Sequence, residues 1–196
     1  MGALGDPVAV DPLLARLGDG SSSVREAAIR SLGQIADPRA AGPIEPFLMD
    51  ESPFLRRTAA WSLGKVGSGR SVLPVASTLV DRDLNVRSAS ALALGEMKDP
   101  RALDPLVAVL ADPAPTVRKD AAVALGVLKD LRAVDPLIAT LEDAHARVRT
   151  AAAESLAAIT GEQLGASPAS WAAWRKGNPA SKPENAGKKV RKGSKP

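Results

Sequence analysis

Residues 99–128 read DPRALDPLVAVLADPAPTVRKDAAVALGVL, and the columns of that stretch recur through most of the chain at a step of 31 residues. Arg25, Arg56, Arg87, Arg118 and Arg149 form one column, and Pro12, Pro43, Pro74, Pro105 and Pro136 another. Asp19, Asp50, Asp81, Asp112 and Asp143 keep the same step, as do Leu32, Leu63, Leu94, Leu125 and Leu156. Gly33, Gly64, Gly95 and Gly126 follow it until Ala157 breaks the series. Independent columns that hold one period without insertion mark an internal repeat, each unit being one supersecondary element that buries its apolar face against its neighbours.

Each unit reads as two helices. In the first unit Val10, Leu13, Leu14 and Leu17 are spaced for a helix from about Ala9 to Leu17. Asp6-Pro7, Asp37-Pro38 and Asp99-Pro100 precede such helices as an N-cap followed by proline would. Proline is tolerated only in a first turn, so the Pro12 column requires the regular helix to start near residue 9 or to bend there. A second helix is predicted over about Ser22–Ile35, with Val24, Ala28, Leu32 and Ile35 facing inward. Gly67, Gly161 and Asp37 lie where these helices should stop. A glycine near a helix end costs about 1 kcal/mol against alanine. Its return in four units therefore points to a close approach between backbones.

The pattern D-P-R-A-x-x-P-L-x-x-x-L-x-D…V-R-x-x-A-A-x-A-L-G, almost complete in Asp99–Leu128, resembles the HEAT-like repeats named after phycobilisome bilin lyases. The resemblance covers residues 1–160, with repeats at about 6–36, 37–67, 68–98, 99–129 and 130–160. It implies an all-α fold, a right-handed α-solenoid of five two-helix units, first helices on the convex face and second helices on the concave one. Met1-Gly2-Ala3-Leu4-Gly5 aligns with Leu32-Gly33-Gln34-Ile35-Ala36, as if the chain began in the last turn of a further repeat, either as part of a longer array or with that end open to a partner. After the array, residues 161–176 read as a cap: Ser167 as N-cap, Pro168 at the first helical position, and Trp171 and Trp174 on one face. Residues 177–196 turn to Pro, Ser, Gly, Asn and Lys, a composition that cannot bury enough apolar area to fold and is expected to be disordered.

Composition narrows the chemistry. The chain of 196 residues has no Cys and one His, His145, which leaves no thiolate chemistry and almost nothing for a histidine cluster. HEAT-like hydroxylases carry repeated His-Glu pairs for iron, and none occurs here. Those that excise alkylated bases need a concave aromatic cluster with an acid, to which Trp61 with Asp120 is the nearest approach. No catalytic residue, metal ligand or cofactor is assigned. No apolar run approaches the ~18 residues of a membrane span, and the start lacks the basic and apolar regions of a signal peptide. A cytoplasmic monomer is expected. Of the net charge of +4, Lys182, Lys188, Lys189, Arg191, Lys192 and Lys195 against Glu184 hold +5 in residues 181–196, so the other 180 residues sum to about −1. The tail could meet nucleic acid through counterion release, but it has no interleaved aromatics for stacking.

Two sets of residues stand out. The Asp and Arg columns are explained together as a structural ladder between neighbouring repeats, with Asp19, Arg25, Asp50, Arg56, Asp81, Arg87, Asp112, Arg118, Asp143 and Arg149 as its members. Function is expected where the repeat is not repetitive. The column Arg30, Trp61, Leu92, Val123, Glu154 lies opposite the Leu32 stripe, flanked by Glu26, Arg57, Ser88, Lys119, Thr150 and by Gln34, Lys65, Glu96, Val127, Ala158. Apolar in the middle and charged at Arg57, Lys65, Glu96 and Lys119, this stripe has the make-up of a binding surface for a protein or peptide. Phe54 either extends it or closes a loop. The function that follows is a non-catalytic scaffold. The alternatives are an accessory subunit of a bilin-lyase-like complex, implied by the resemblance, and nucleic-acid binding through the tail.

Overall fold

Leu32, Leu63, Leu94, Leu125 and Leu156 are fully buried, and they anchor five long helices that share one layer. The computed structural model describes residues 7–178. The long helices are α2 (Ser22–Ile35), α4 (Pro53–Val66), α6 (Leu84–Met97), α8 (Pro115–Leu128) and α10 (Ala146–Thr160). Each lies against the next, α2 on α4, α4 on α6, α6 on α8 and α8 on α10. A second layer holds the short helices α1 (Val10–Arg16), α3 (Ala41–Ile44), α5 (Val72–Ser77), α7 (Leu103–Val109) and α9 (Val134–Thr140), each against the long helix of its own repeat. The result is an α-solenoid. Its core is made of Ala, Leu, Val and Ile between the layers.

The prolines explain why the second layer is short. Pro12, Pro43, Pro74, Pro105 and Pro136 each stand third in their α-helix, in the first turn, where the missing N–H has no intrahelical partner to lose. The chain enters through a 3-10 turn, as at Pro38–Ala40 and Pro100–Ala102, capped by Asp37 and Asp99, whose carboxylates accept the N–H of Arg39 and Arg101 at 2.8 and 2.9 Å. Pro46 adds a second break in the second repeat. There α3 stops at Ile44 and continues as a 3-10 helix over Glu45–Met49.

The glycine column sits at the contacts between long helices. A Cβ at Gly33, Gly64, Gly95 or Gly126 would meet Ser62, Ala93, Ala124 or Ser155 of the next helix, with its nearest atom 2.5–2.7 Å away. The facing residues are small, and the two serines return a hydrogen bond to the preceding helix, Ser62 to the Ile29 carbonyl at 2.9 Å and Ser155 to the Ala122 carbonyl at 2.8 Å.

Three expectations are corrected. Val24 is exposed, although its equivalents Leu55, Val86, Val117 and Val148 are buried. Among the described residues no repeat precedes α1 and α2 to cover it. The residue that stops α2 is Ala36, not Asp37. Gly177 belongs to the last helix, α11 (Pro168–Gly177), rather than to the tail. The readings placed on residues 1–6 and 179–196, the basic tail included, lie outside the described residues.

Ala36, Lys98 and Lys129 end their helices in the left-handed region, with φ of 58°, 51° and 56°, whereas Gly67 and Gly161 fill that role elsewhere. A side chain there is strained by about 1 kcal/mol or more. Lys98→Gly and Lys129→Gly are each expected to stabilise the fold by roughly 0.5–1 kcal/mol, after the greater chain entropy of glycine is subtracted. Thermal melts check this, and a lowered midpoint in both variants would mean the caps carry no strain.

Candidate protein-docking face

The face of the long-helix layer turned away from the short helices carries the irregular columns. Between α2, α4 and α6 it holds an open hollow of about 410 Å³, lined by Arg30 and Gln34, then Arg57, Thr58 and Trp61, then Asn85, Ser88, Ala89 and Leu92. The 31-residue step brings Arg30, Trp61 and Leu92 side by side from three consecutive repeats. Trp61 is half-buried and Leu92 is 38% exposed, so an indole and an isobutyl group form an accessible apolar floor. Val123 is half-buried and packs against the core. Val127, at 38% exposure, carries the apolar surface onto α8.

Most charges on this face are already paired. Arg30 bonds Glu26 at 2.5 Å, and the Thr58 hydroxyl donates to the same carboxylate at 3.3 Å. Lys65 pairs with Glu96 at 2.8 Å while its ammonium lies 5.8 Å from the centre of the Trp61 ring, a cation–π arrangement. Lys119 pairs with Asp120 at 2.9 Å, and the Ser88 hydroxyl donates to the other oxygen of that carboxylate. Asp120 is thus a buried, partnered acid that ties α6 to α8, and it does not line the hollow with Trp61. Arg57 differs. Its guanidinium stands 5.4 Å from the centre of the exposed Phe54 ring, and it borders a second, smaller hollow with Pro53, Phe54, Asp83 and Asn85. Phe54, open in the sequence between patch and loop closure, extends the apolar surface.

On another edge of the array the Asp and Arg columns meet. Arg56, Arg87 and Arg118 each reach the Asp of the following repeat through Nε and Nη2, Asp81 at 2.6 and 2.8 Å, Asp112 at 2.7 and 3.0 Å, Asp143 at 2.7 and 3.0 Å. Their Nη1 donates to the carbonyl of the Asp in their own repeat, at 2.8 Å in all three. Each Asp also accepts a backbone N–H two residues ahead, from Asp83, Ala114 and His145. The hydrogen bonds from Arg56 and Arg118 hold Asp81 and Asp143 below the usual carboxylate range, against the opposing pull of burial. Among the described residues the first rung is missing. There Arg25 bonds the carbonyls of Asp19 and Gly20, and Asp50 accepts from the Ser52 N–H without an arginine. Asp19 and Arg149, at the two ends, lack a partner repeat among the described residues. Arg149 bonds the Asp143 and Ala144 carbonyls. His145 is an exposed residue beside this ladder, 3.3 Å from Arg118.

A further set of pairs joins the short-helix side and was not read from the sequence. Arg39 reaches Asp11 at 3.1 Å and Arg70 reaches Glu45 at 3.3 Å across a repeat junction. The arginine column 39, 70, 101, 132 was the available signal, and it ends at Gln163. There the cap takes over, because Arg175 of α11 bonds Asp135 at 2.6 Å. Trp171 is fully buried and donates its indole N–H to the Gly165 carbonyl at 2.7 Å, and Trp174 meets it edge-on at 5.7 Å. The α11 helix packs on α9.

Among the described residues, no cluster of three or more His, Cys, Asp or Glu could hold a metal ion, and no helix is long and apolar enough to cross a membrane. The solved structures similar to this chain include the complex of CpcE and CpcF of phycocyanin lyase from Nostoc sp., at 26% identity and a TM-score of 0.71, over 84% of this chain and 70% of that one. Human deoxyhypusine hydroxylase in complex with glycerol matches at 22% identity and 0.57, over 81% of this chain and 76% of that one. A designed armadillo repeat protein in complex with the peptide (KR)4 matches at 19% and 0.57, over 78% and 82%. The last two show the fold alone. Among curated proteins none matches. The family model for HEAT repeats matches residues 1–48, 43–126 and 104–170, and with that coverage the chain belongs to the HEAT repeat family.

Proposed function

We propose that this chain is a non-catalytic adaptor that holds a protein or peptide partner along the exposed face of its long-helix layer. The observation that carries the reading is the hollow that three consecutive repeats build around Trp61 and Leu92, with its polar rim. A large aromatic at the centre of an otherwise polar surface is the usual anchor of a protein interface, and its loss commonly weakens binding by 2 kcal/mol or more. Trp61→Asp and Leu92→Asp are each expected to weaken capture of the partner by at least about thirtyfold. Affinity capture from nuclease-treated lysate of the source measures this, with thermal melts to show that both variants remain folded. A partner held equally by wild type and both variants would move the site off this face.

A second reading has its own support. The likeness to a phycocyanin lyase complex at 26% identity favours an accessory subunit of a chromophore-handling complex, in which this chain would pair with a second subunit. Co-purification with an absorbing chromophore or a phycobiliprotein would favour it. A source without phycobilisomes would overturn it.

A further inference from the structure

Among the described residues that line the two hollows, Arg57 is the cation without a carboxylate. Arg30 is spent on Glu26. Lys65, beside Trp61, is spent on Glu96. Asp83 serves as the N-cap of α6 and accepts the N–H of Asn85 at 2.7 Å. Arg57 makes no ion pair or hydrogen bond among the described residues, and Phe54, three residues before it on the same helix face, supports its guanidinium from one side. A guanidinium stacked on an aromatic ring keeps its edge free for two parallel hydrogen bonds to a planar anion. Arg57 lines both hollows, so this edge adjoins the floor of Trp61 and Leu92.

We propose that this site takes an extended segment of a partner protein that presents one carboxylate side chain beside a large apolar one, the carboxylate on Arg57 and the apolar group on Trp61 and Leu92. The proposal rests on the adaptor reading and names the chemistry of the partner. A carboxylate fits better than a phosphate. One uncommitted guanidinium matches a single negative charge, and Asp83 across the smaller hollow disfavours a dianion. The same charge balance disfavours the chain's own lysine-rich residues 181–196 as the occupant. Gln34 at the far margin and the backbone of an extended segment are complementary, since an amide side chain both donates and accepts.

The test is selection of random twelve-residue peptides displayed on phage against the full chain, followed by titration of the enriched peptides. The expected result is a shared acidic residue within two positions of Leu, Phe, Trp or Met. Replacing the acid by its amide, or Arg57→Gln, should each weaken binding roughly ten- to a hundredfold, and the two changes together should cost little more than either alone. Arg57→Lys should restore only part of the loss. Trp61→Asp should abolish binding of every enriched peptide. The Arg57 side chain makes no hydrogen bond among the described residues, so the melting temperature of Arg57→Gln should match wild type. Peptides without an acid, sensitive to Trp61→Asp but not to Arg57→Gln, would overturn the carboxylate and leave the adaptor face standing. Tenfold tighter binding of a phosphoserine peptide than of its aspartate counterpart would also overturn it. Peptides indifferent to both substitutions, or no enrichment, would overturn the proposal together with the reading beneath it.

Discussion

Gly95→Ala is expected to destabilise the fold by about 3 kcal/mol, although alanine is the better helix former by about 1 kcal/mol. The added methyl would stand 2.7 Å from the Ala124 Cα, 2.9 Å from its Cβ and 3.0 Å from its carbonyl oxygen. None of these atoms belongs to a side chain that can swing away, so α6 and α8 must separate, and contacts on both sides of the junction loosen. The natural control is position 157, where the column already holds alanine and no long helix follows α10 among the described residues. Ala157→Gly should cost only the propensity difference, about 1 kcal/mol. Urea unfolding of the two variants decides the matter. If Gly95→Ala is neutral or stabilising, the helices are not held at backbone contact.

Asp81→Ala comes second, at about 3 kcal/mol. The Arg56 and Asp81 side chains are only 7% and 10% exposed, so the substitution strands Nε and Nη2 of Arg56 in a nearly closed site, with only the Asp50 and Glu51 carbonyls still bound to Nη1. It also removes the acceptor for the Asp83 N–H. Asp81→Asn keeps an acceptor oxygen and should cost about half as much. A loss below 1 kcal/mol for Asp81→Ala would class the ladder with ordinary surface pairs. Acid supplies an independent check. Asp81 and Asp143 have folded pKa values below the ordinary 3.8, so their contribution is complete above that value and is lost as the pH falls through the lower folded one. Wild type should therefore lose stability below about pH 4, and Asp81→Ala should lose less over the same window. Asp99, held at about 2 by the side-chain and backbone hydrogen bonds of Arg101, adds to the same descent.

The two-helix unit was legible because its determinants are local. Proline restricts a first turn, Leu and Ala spacing sets a buried stripe, and a glycine recurring against its helix propensity signals a backbone contact. What escaped depends on the ends of the array or on partners 25 to 32 residues away. Val24 belongs to a buried column, yet its burial needs a preceding repeat, and no local pattern reports that neighbour. The Arg175–Asp135 bond comes from a helix outside the period, so no column could name it. On the proposed docking face, helical spacing picks out Arg30, Arg57, Trp61, Lys65, Leu92, Glu96, Lys119 and Val123 as one stripe. It is blind to which charges are consumed by their neighbours. Lys65 with Glu96 is a pair that only the packed helices reveal, and with Lys119 held by its neighbour Asp120 and Arg30 by Glu26, Arg57 is left as the unclaimed cation of this stripe among the described residues.

Among the described residues the rung between Arg25 and Asp50 is absent, which makes the junction of the first two repeats the most weakly coupled in a one-dimensional zipper. In such a chain of nearest-neighbour couplings the weakest junction opens first and most often. The hollow around Trp61 includes Arg30 and Gln34 of α2, so one wall of the proposed docking site lies across that junction from the others. A ligand seated there would bridge it. Occupancy would then appear as slowed amide exchange in α2 even where no contact is made, and part of the intrinsic affinity would be spent on closing that junction.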